Sequence, residues 1–234
     1  MTKTGSSDKS KPQGNAPGTT GAESPFDRAA QAWDDNPVRV QLAAAVAEAM
    51  VREVPLTLQM QIMDFGCGTG LIARALAGAV RSVVAADTSV EMLAMLERKA
   101  EAAGLKQIQP LLLEAGYGSH TDVSYDAIVS SMVLHHIEEI PSLLGQLVQW
   151  CRPGGWIALA DLEAEDGTFH RNAREVFHHG FDPGALALQL EALGCVTRSV
   201  RTVHTIRRPP AESAEPRDYP VFLLTAQKAP CNRK

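Results

Sequence analysis

The sequence predicts an α/β protein built on one open, doubly wound and mostly parallel sheet with helices on both faces. Three observations predict it. Short apolar runs alternate with amphipathic stretches through the middle of the chain, the rhythm of successive β-α-β units. The segment Ile62-Met63-Asp64-Phe65-Gly66-Cys67-Gly68-Thr69-Gly70 is an apolar run ending in an acid and three alternating glycines, the pattern of a strand that turns sharply into a helix around a nucleotide. After Gly194 two β-rich runs follow one another, which closes the parallel rhythm with an antiparallel pair.

Residues 1–24 are rich in Gly, Ser, Thr, Pro and Lys with almost no large apolar side chain. They cannot offset the entropy of ordering and read as a disordered tail. The domain occupies 25–229, and 230–234 is a short C-terminal tail. Helical periodicity appears over Phe26 to Trp33 and resumes after Pro37 through Val40, Leu42, Ala43, Val46, Ala47 and Met50. Strand 62–65 precedes a helix over Leu71 to Gly78, and strand Ser82 to Ala86 a helix over Val90 to Gly104. Strand Ile108 to Leu113 runs into a loop with Gly116 and Gly118. Strand Tyr125 to Ser131 leads to a helix over Ile140 to Cys151, and Pro153-Gly154-Gly155 forms the turn into a fifth parallel strand, Trp156 to Ala160. A helix over Asp182 to Leu193 then precedes Cys195 to Ile206 and Tyr219 to Gln227, strands paired across a polar loop.

With 234 residues, 45% of them hydrophobic and 21% charged, the chain suits one large core and not two full domains. A formal net charge of -5 offers no broad attraction to phosphate backbones or anionic lipid. No apolar run reaches the ~20 residues that span a bilayer, and the N-terminus lacks the apolar core of a signal peptide. Cys67, Cys151, Cys195 and Cys231 form no CxxC pair, so neither a zinc knuckle nor a disulfide framework is expected. A cytoplasmic location follows as the default.

Ligands of open α/β sheets sit outside the C-terminal ends of the strands. The glycine turn lies at such an end, and Asp87 ends the next strand beside it, where a carboxylate can accept from both hydroxyls of a ribose. Gly68-Thr69-Gly70-Leu71-Ile72-Ala73 also satisfies the dinucleotide pattern, with Asp87 at the expected offset. Against a dinucleotide stands Asp64, whose carboxylate would lie close to a pyrophosphate and repel it. An acid there suits a ligand that carries positive charge.

Taken with Tyr125 to Ile137, which contains Leu134-His135-His136-Ile137, and with Arg152-Pro153-Gly154-Gly155, these blocks resemble the class I S-adenosylmethionine-dependent methyltransferases. Within that class the chain is similar to the small-molecule branch of ubiquinone and menaquinone biosynthesis. The resemblance implies S-adenosyl-L-methionine as cofactor, strand order 3-2-1-4-5-7-6 and an N-terminal helical lid over Phe26 to Trp33. It implies that Gly66, Cys67 and Gly68 contact the amino-acid portion with Asp64 nearby, that Asp87 binds the ribose, and that Thr88 and Met92 flank the adenine. Trp33 and Ser130 complete the expected cofactor set. Glu114 stands where the family often has an adenine-binding aspartate.

Methyl transfer is an in-line displacement, so the protein supplies proximity and, where needed, a base. The candidates are His135, Asp161 and His170, all near strand ends that face the methyl group in this fold. No metal is expected, since His178 and His179 with Glu163, Glu165, Asp166 and His170 match no ligand spacing. Arg198, Arg201, Arg207 and Arg208 read as solvated edge charges. A small-molecule acceptor is favoured over RNA and protein, the enzyme acting as monomer or homodimer. The alternatives are an NAD(P)-dependent oxidoreductase and a noncatalytic S-adenosylmethionine-binding regulator.

Overall fold

The computed structural model describes residues 24–114, 124–170, 176–209 and 215–230. The expected loop with Gly116 and Gly118, the tail through residue 23 and the last four residues lie outside the described residues.

Seven strands form one sheet in the order β3-β2-β1-β4-β5-β7-β6. β1 (Gln61–Phe65), β2 (Ser82–Asp87), β3 (Ile108–Leu112), β4 (Tyr125–Ser131) and β5 (Cys151–Leu162) are parallel. β7 (Arg217–Lys228) runs antiparallel to both β5 and β6 (Cys195–Arg208). The chain therefore begins in the middle of the sheet, winds out to β3 and returns to β4 on the other side of β1. Between β1 and β4 the strand order reverses, which opens a crevice at their C-terminal ends.

Both faces of the centre of the sheet are covered, as the buried apolar runs of β1, β2 and β4 require. On one face α2 (Pro37–Glu53), α3 (Leu71–Leu76) and α4 (Val90–Ala102) bring Val46, Met50, Leu76 and Leu96 against Ile62, Val83, Ala127 and Ala158. On the other, α5 (Ile140–Trp150) and α6 (Pro183–Ala192) bring Leu144, Leu147 and Leu190 against Met63, Phe65, Ile128 and Leu159. Successive strand residues point to opposite faces. Asp64 thus shares the face of Ile62 and lies beneath the start of α3, where it is only 1% exposed.

α1 (Pro25–Ala29) opens on a reciprocal cap, in which the Ser24 hydroxyl accepts from Asp27 N–H and the Asp27 carboxylate accepts from Ser24 N–H. Two expectations are corrected. The helix expected over Phe26 to Trp33 is split into α1 and a 3-10 turn over Ala30–Asp35. Asn36 precedes Pro37, which holds it extended, and its side chain caps α2. The Pro153-Gly154-Gly155 turn sits inside β5 and not before it. Pairing with β4 already starts at Tyr125↔Cys151 and resumes at Ala127↔Trp156, so Arg152 to Gly155 form a bulge anchored by the Arg152–Asp126 ion pair.

Candidate active site

The glycine turn leaves β1 with Gly66 at φ 70° and Gly70 at φ 81°, both left-handed. A side chain is excluded at each: a Cβ on Gly66 would come within 2.4 Å of Val133, and one on Gly70 within 2.6 Å of Leu96. The turn is fixed to β2, since Gly66 N–H and Cys67 N–H both donate to the Ala86 carbonyl, at 2.8 and 3.0 Å. Gly68 N–H donates to Asp87 Oδ2 at 2.7 Å and Ser89 N–H to Asp87 Oδ1 at 2.9 Å. Asp87 is thereby aimed across the turn, with lone pairs remaining on both oxygens for a ribose.

Burial dominates the charge state of these acids. It pushes Asp64 up to about 7, with repulsion from Asp87 adding to the rise and a backbone bond from Ala73 opposing it. Burial also raises Asp87, against the lowering effect of its bonds from Ser89, Gly68 and Thr88. Asp64 Oδ2 is buried with no hydrogen-bond partner among the described residues. An unpartnered buried carboxylate oxygen beside a second acid is a poor phosphate site and a good site for a cation. The residues thus fit the sulfonium nucleoside that the sequence resemblance implies. Cys67 is no thiolate: burial, then Asp64 and Asp87, hold its thiol well above the ordinary value.

The remaining cofactor candidates lie around this turn. Met92 is buried, its N–H bonded to the Ser89 hydroxyl at 3.1 Å, and Thr88 is exposed. Glu114 is exposed just beyond Leu113, whose N–H donates to the Asp87 carbonyl at 2.8 Å. Ser130 donates its hydroxyl to the Phe65 carbonyl at 2.9 Å, a strut between β4 and β1. Trp33 is half-buried beneath the Arg39 guanidinium, 3.8 Å from its ring centre, and 6.1 Å from the Phe26 ring.

Across the crevice the chain leaves β4 through Met132, at φ 58° the one described residue other than glycine with a left-handed φ. This strained turn leads into a 3-10 turn over Leu134–His136. His135 Nδ1 lies 2.7 Å from Asp161 Oδ1. The same carboxylate accepts from His135 N–H at 3.3 Å and Leu162 N–H at 2.7 Å. Both side chains are buried. The carboxylate selects the tautomer with its proton on Nδ1 and leaves Nε2 as a bare lone pair. His136 and His170 complete a cluster, their ring centres 4.0 and 4.8 Å from that of His135. Phe26 meets His136 edge-on at 5.0 Å.

His170 differs from its neighbours. Burial, followed by His135, His136 and Arg208, pushes it down to about 3, and its Nε2 is buried without a partner among the described residues. Its ring is therefore uncharged at neutral pH. His178 Nε2 is spent on the Ile137 carbonyl at 2.9 Å, and the described residues contain no metal-holding group of three or more His, Cys, Asp or Glu.

Sequence reasoning missed Asp27, Asp34 and Ser89. Ser89 Oγ donates to Asp27 Oδ1 at 2.5 Å, and Thr69 Oγ1 donates to Asp34 Oδ1 at 2.5 Å. The Ser24-Pro25-Phe26-Asp27 spacing is a capping-box signal that marks the start of α1. No local pattern points from Asp34 to Thr69, which is 35 residues away.

Residues 62–155 match a family profile described as a methyltransferase domain. The chain is 32% identical to the malonyl-[acyl-carrier protein] O-methyltransferase of Pectobacterium atrosepticum over 58% of this chain and 51% of that protein. It is 32% identical to the trans-aconitate 2-methyltransferase of Deinococcus radiodurans over 53% of this chain and 45% of that one. It thus spans about half the length of the curated relatives it matches. Among solved structures, a SAM-dependent methyltransferase from Aquifex aeolicus superposes with a TM-score of 0.62 at 22% identity, covering 83% of this chain and 95% of the other. That likeness concerns the fold.

Proposed function

We propose that this chain, which belongs to the class I S-adenosylmethionine-dependent methyltransferases and takes S-adenosyl-L-methionine as its cofactor, transfers a methyl group to an oxygen, nitrogen, sulfur or carbon atom of a small organic molecule. One observation carries the reading: a single crevice has an unpartnered buried acid, Asp64, on one side and the buried Asp161–His135 pair on the other. The first calls for a cation, the second for a proton to accept.

When bound, the cofactor supplies an electrophilic methyl group on sulfur. The chain's own residues do the rest. Asp64 and the backbone of Gly66, Cys67 and Gly68 hold the amino-acid end, Asp87 takes the ribose, and Trp33, Thr88, Met92 and Glu114 flank the base. Ser130 keeps β1 and β4 in register beneath them. His135 accepts the acceptor's proton on Nε2 while Asp161 stabilises the imidazolium, a contribution of roughly 10²–10⁴ in rate. His170 is too weak a base for that task and serves as a neutral hydrogen-bonding wall. Phe26 and His136 shield the reacting centre from water.

Among the described residues no helix is long and apolar enough to cross a membrane. The proposal includes a cytoplasmic location and action as a monomer or homodimer without nucleic acid. Carboxylic acids head the acceptor screen, since two relatives are named for malonyl and trans-aconitate.

Isothermal titration calorimetry with S-adenosylmethionine, S-adenosylhomocysteine and NAD(H) tests the reading. Micromolar binding of the two sulfur nucleosides, weakened in Asp87→Ala, supports it and licenses an acceptor screen by S-adenosylhomocysteine formation. Selective NAD(H) binding would return the glycine turn to the dinucleotide class.

A further inference from the structure

The segment from Ser24 to Asn36 carries contacts that neither the glycine motif nor the histidine cluster explains. Apolar burial does little to hold it: α1 buries no residue fully and the 3-10 turn after it buries only Ala30. Its anchors are polar, and three of them meet on one side chain. Asp34 accepts from Thr69 of the glycine turn at 2.5 Å and from Arg74 of α3 at 3.0 Å, and it pairs with Lys99 of α4 at 2.6 Å. A second anchor, Asp27, accepts from Ser89, the residue whose N–H orients Asp87. At the other end Phe26 lies against His136.

The bland alternative is an ordinary surface ion pair, worth about 0–1 kcal/mol. Two observations weigh against it. The Asp34 side chain is only 19% exposed and serves three partners at once. Those partners come from the glycine turn and from the two helices that flank it, so the carboxylate bridges the segment to the donor half of the site and not to the molecule at large. The same short segment places an aromatic ring on the acceptor half. Held so weakly by apolar contacts, it belongs to the parts of a fold that open at low cost.

We infer that Asp34 is a positioning residue for methyl transfer: it latches the Ser24–Asn36 segment across the glycine turn, so that one carboxylate sets both the residence of the cofactor and the placing of Phe26 over the histidines. The inference rests on the cofactor reading above. With the latch made, Phe26 and Trp33 stand together at the mouth of the crevice. With it broken, the segment swings on the Asn36-Pro37 junction and both halves of the site open together.

The test uses the full chain and S-adenosylhomocysteine as probe. Asp34→Ala, Asp34→Glu and the neighbouring exposed Asp35→Ala are compared by stopped-flow dissociation of the nucleoside and by amide hydrogen exchange over residues 24–36 of the free protein. Loss of charged hydrogen bonds of this kind predicts dissociation faster by about tenfold or more in Asp34→Ala. Exchange should rise over the same residues, with partial rescue in Asp34→Glu and neither effect in Asp35→Ala. Dissociation from Asp34→Ala at the wild-type rate overturns the inference, whatever the exchange does. Equal effects of Asp35→Ala overturn it too, since net charge would then be the cause. Failure of the wild-type chain to bind the nucleoside sinks the cofactor reading instead. In that case the exchange data still decide whether Asp34 holds the segment.

Discussion

The two sides of the crevice treat a buried carboxylate in opposite ways. Asp64, on the side of the glycine turn, keeps one oxygen without a partner among the described residues and is pushed up to about 7 by burial. Asp161, on the histidine side, has His135 Nδ1 and two backbone N–H groups on its oxygens. An acid left unsatisfied is a site that a ligand completes. An acid fully satisfied by the protein orients another group. The same residue type, equally buried, thus stands open to a ligand on one side and locked to a histidine on the other, which is the contrast the proposed roles rest on.

Mutations that break this contrast should differ in kind as well as size. The largest effect belongs to His135→Ala and Asp161→Asn. Each should lower S-adenosylhomocysteine formation with any acceptor that must lose a proton by about 10²–10⁴, while calorimetry shows S-adenosylhomocysteine binding within twofold of wild type. Loss of binding instead would mean that the histidine side also holds the cofactor. Next, Asp87→Ala removes the acceptor of two backbone N–H groups as well as the proposed ribose contact, and nucleoside affinity should fall by roughly ten- to a hundredfold, read by the same titration. Gly66→Ala tests the scaffold beneath both sides. A left-handed φ and a 2.4 Å approach to Val133 should cost about 1–3 kcal/mol in denaturant unfolding.

The smallest effect concerns pH. Asp64 has its folded pKa raised from 3.8 to about 7, so folding favours its protonated form. Its contribution to stability is greatest below about 4 and is lost as pH rises towards 7. Binding of a cation needs the charged form. Affinity for S-adenosylmethionine should therefore rise, by less than tenfold per pH unit, as pH climbs towards 7, and level off above it. Asp64→Asn should flatten the profile and raise the melting temperature at pH 8. A profile unchanged by the substitution would place the titrating group elsewhere.

Much of the glycine-turn side was legible because its information is local. The run Ile62 to Gly70 carries strand, acid and turn in one stretch, and Asp87 follows at a readable distance at the end of the next strand. His135 and Asp161 were legible at one remove, since both follow or end neighbouring strands and the strand order brings those ends together. Asp34 was not legible. Its partners Arg74 and Lys99 lie on two different helices, and only tertiary packing decides which surface acid meets which base. The environment of His170 also escaped the sequence, because its displacement to about 3 arises from burial and from the histidines packed beside it.

The bulge from Arg152 to Gly155 has a consequence for the histidine side. Pairing jumps from Tyr125↔Cys151 to Ala127↔Trp156, so β5 runs three residues ahead of an unbroken ladder. Without that slip Ala158, not Asp161, would stand level with the residue that follows Ser131. Because side chains alternate with a period of two, an odd slip also exchanges the two faces of the strand. The length of the bulge near the start of β5 therefore acts as a gear setting for the end that carries Asp161. Removing one residue there, with no change to any side chain near the crevice, would turn Asp161 away from His135 and present an apolar neighbour in its place.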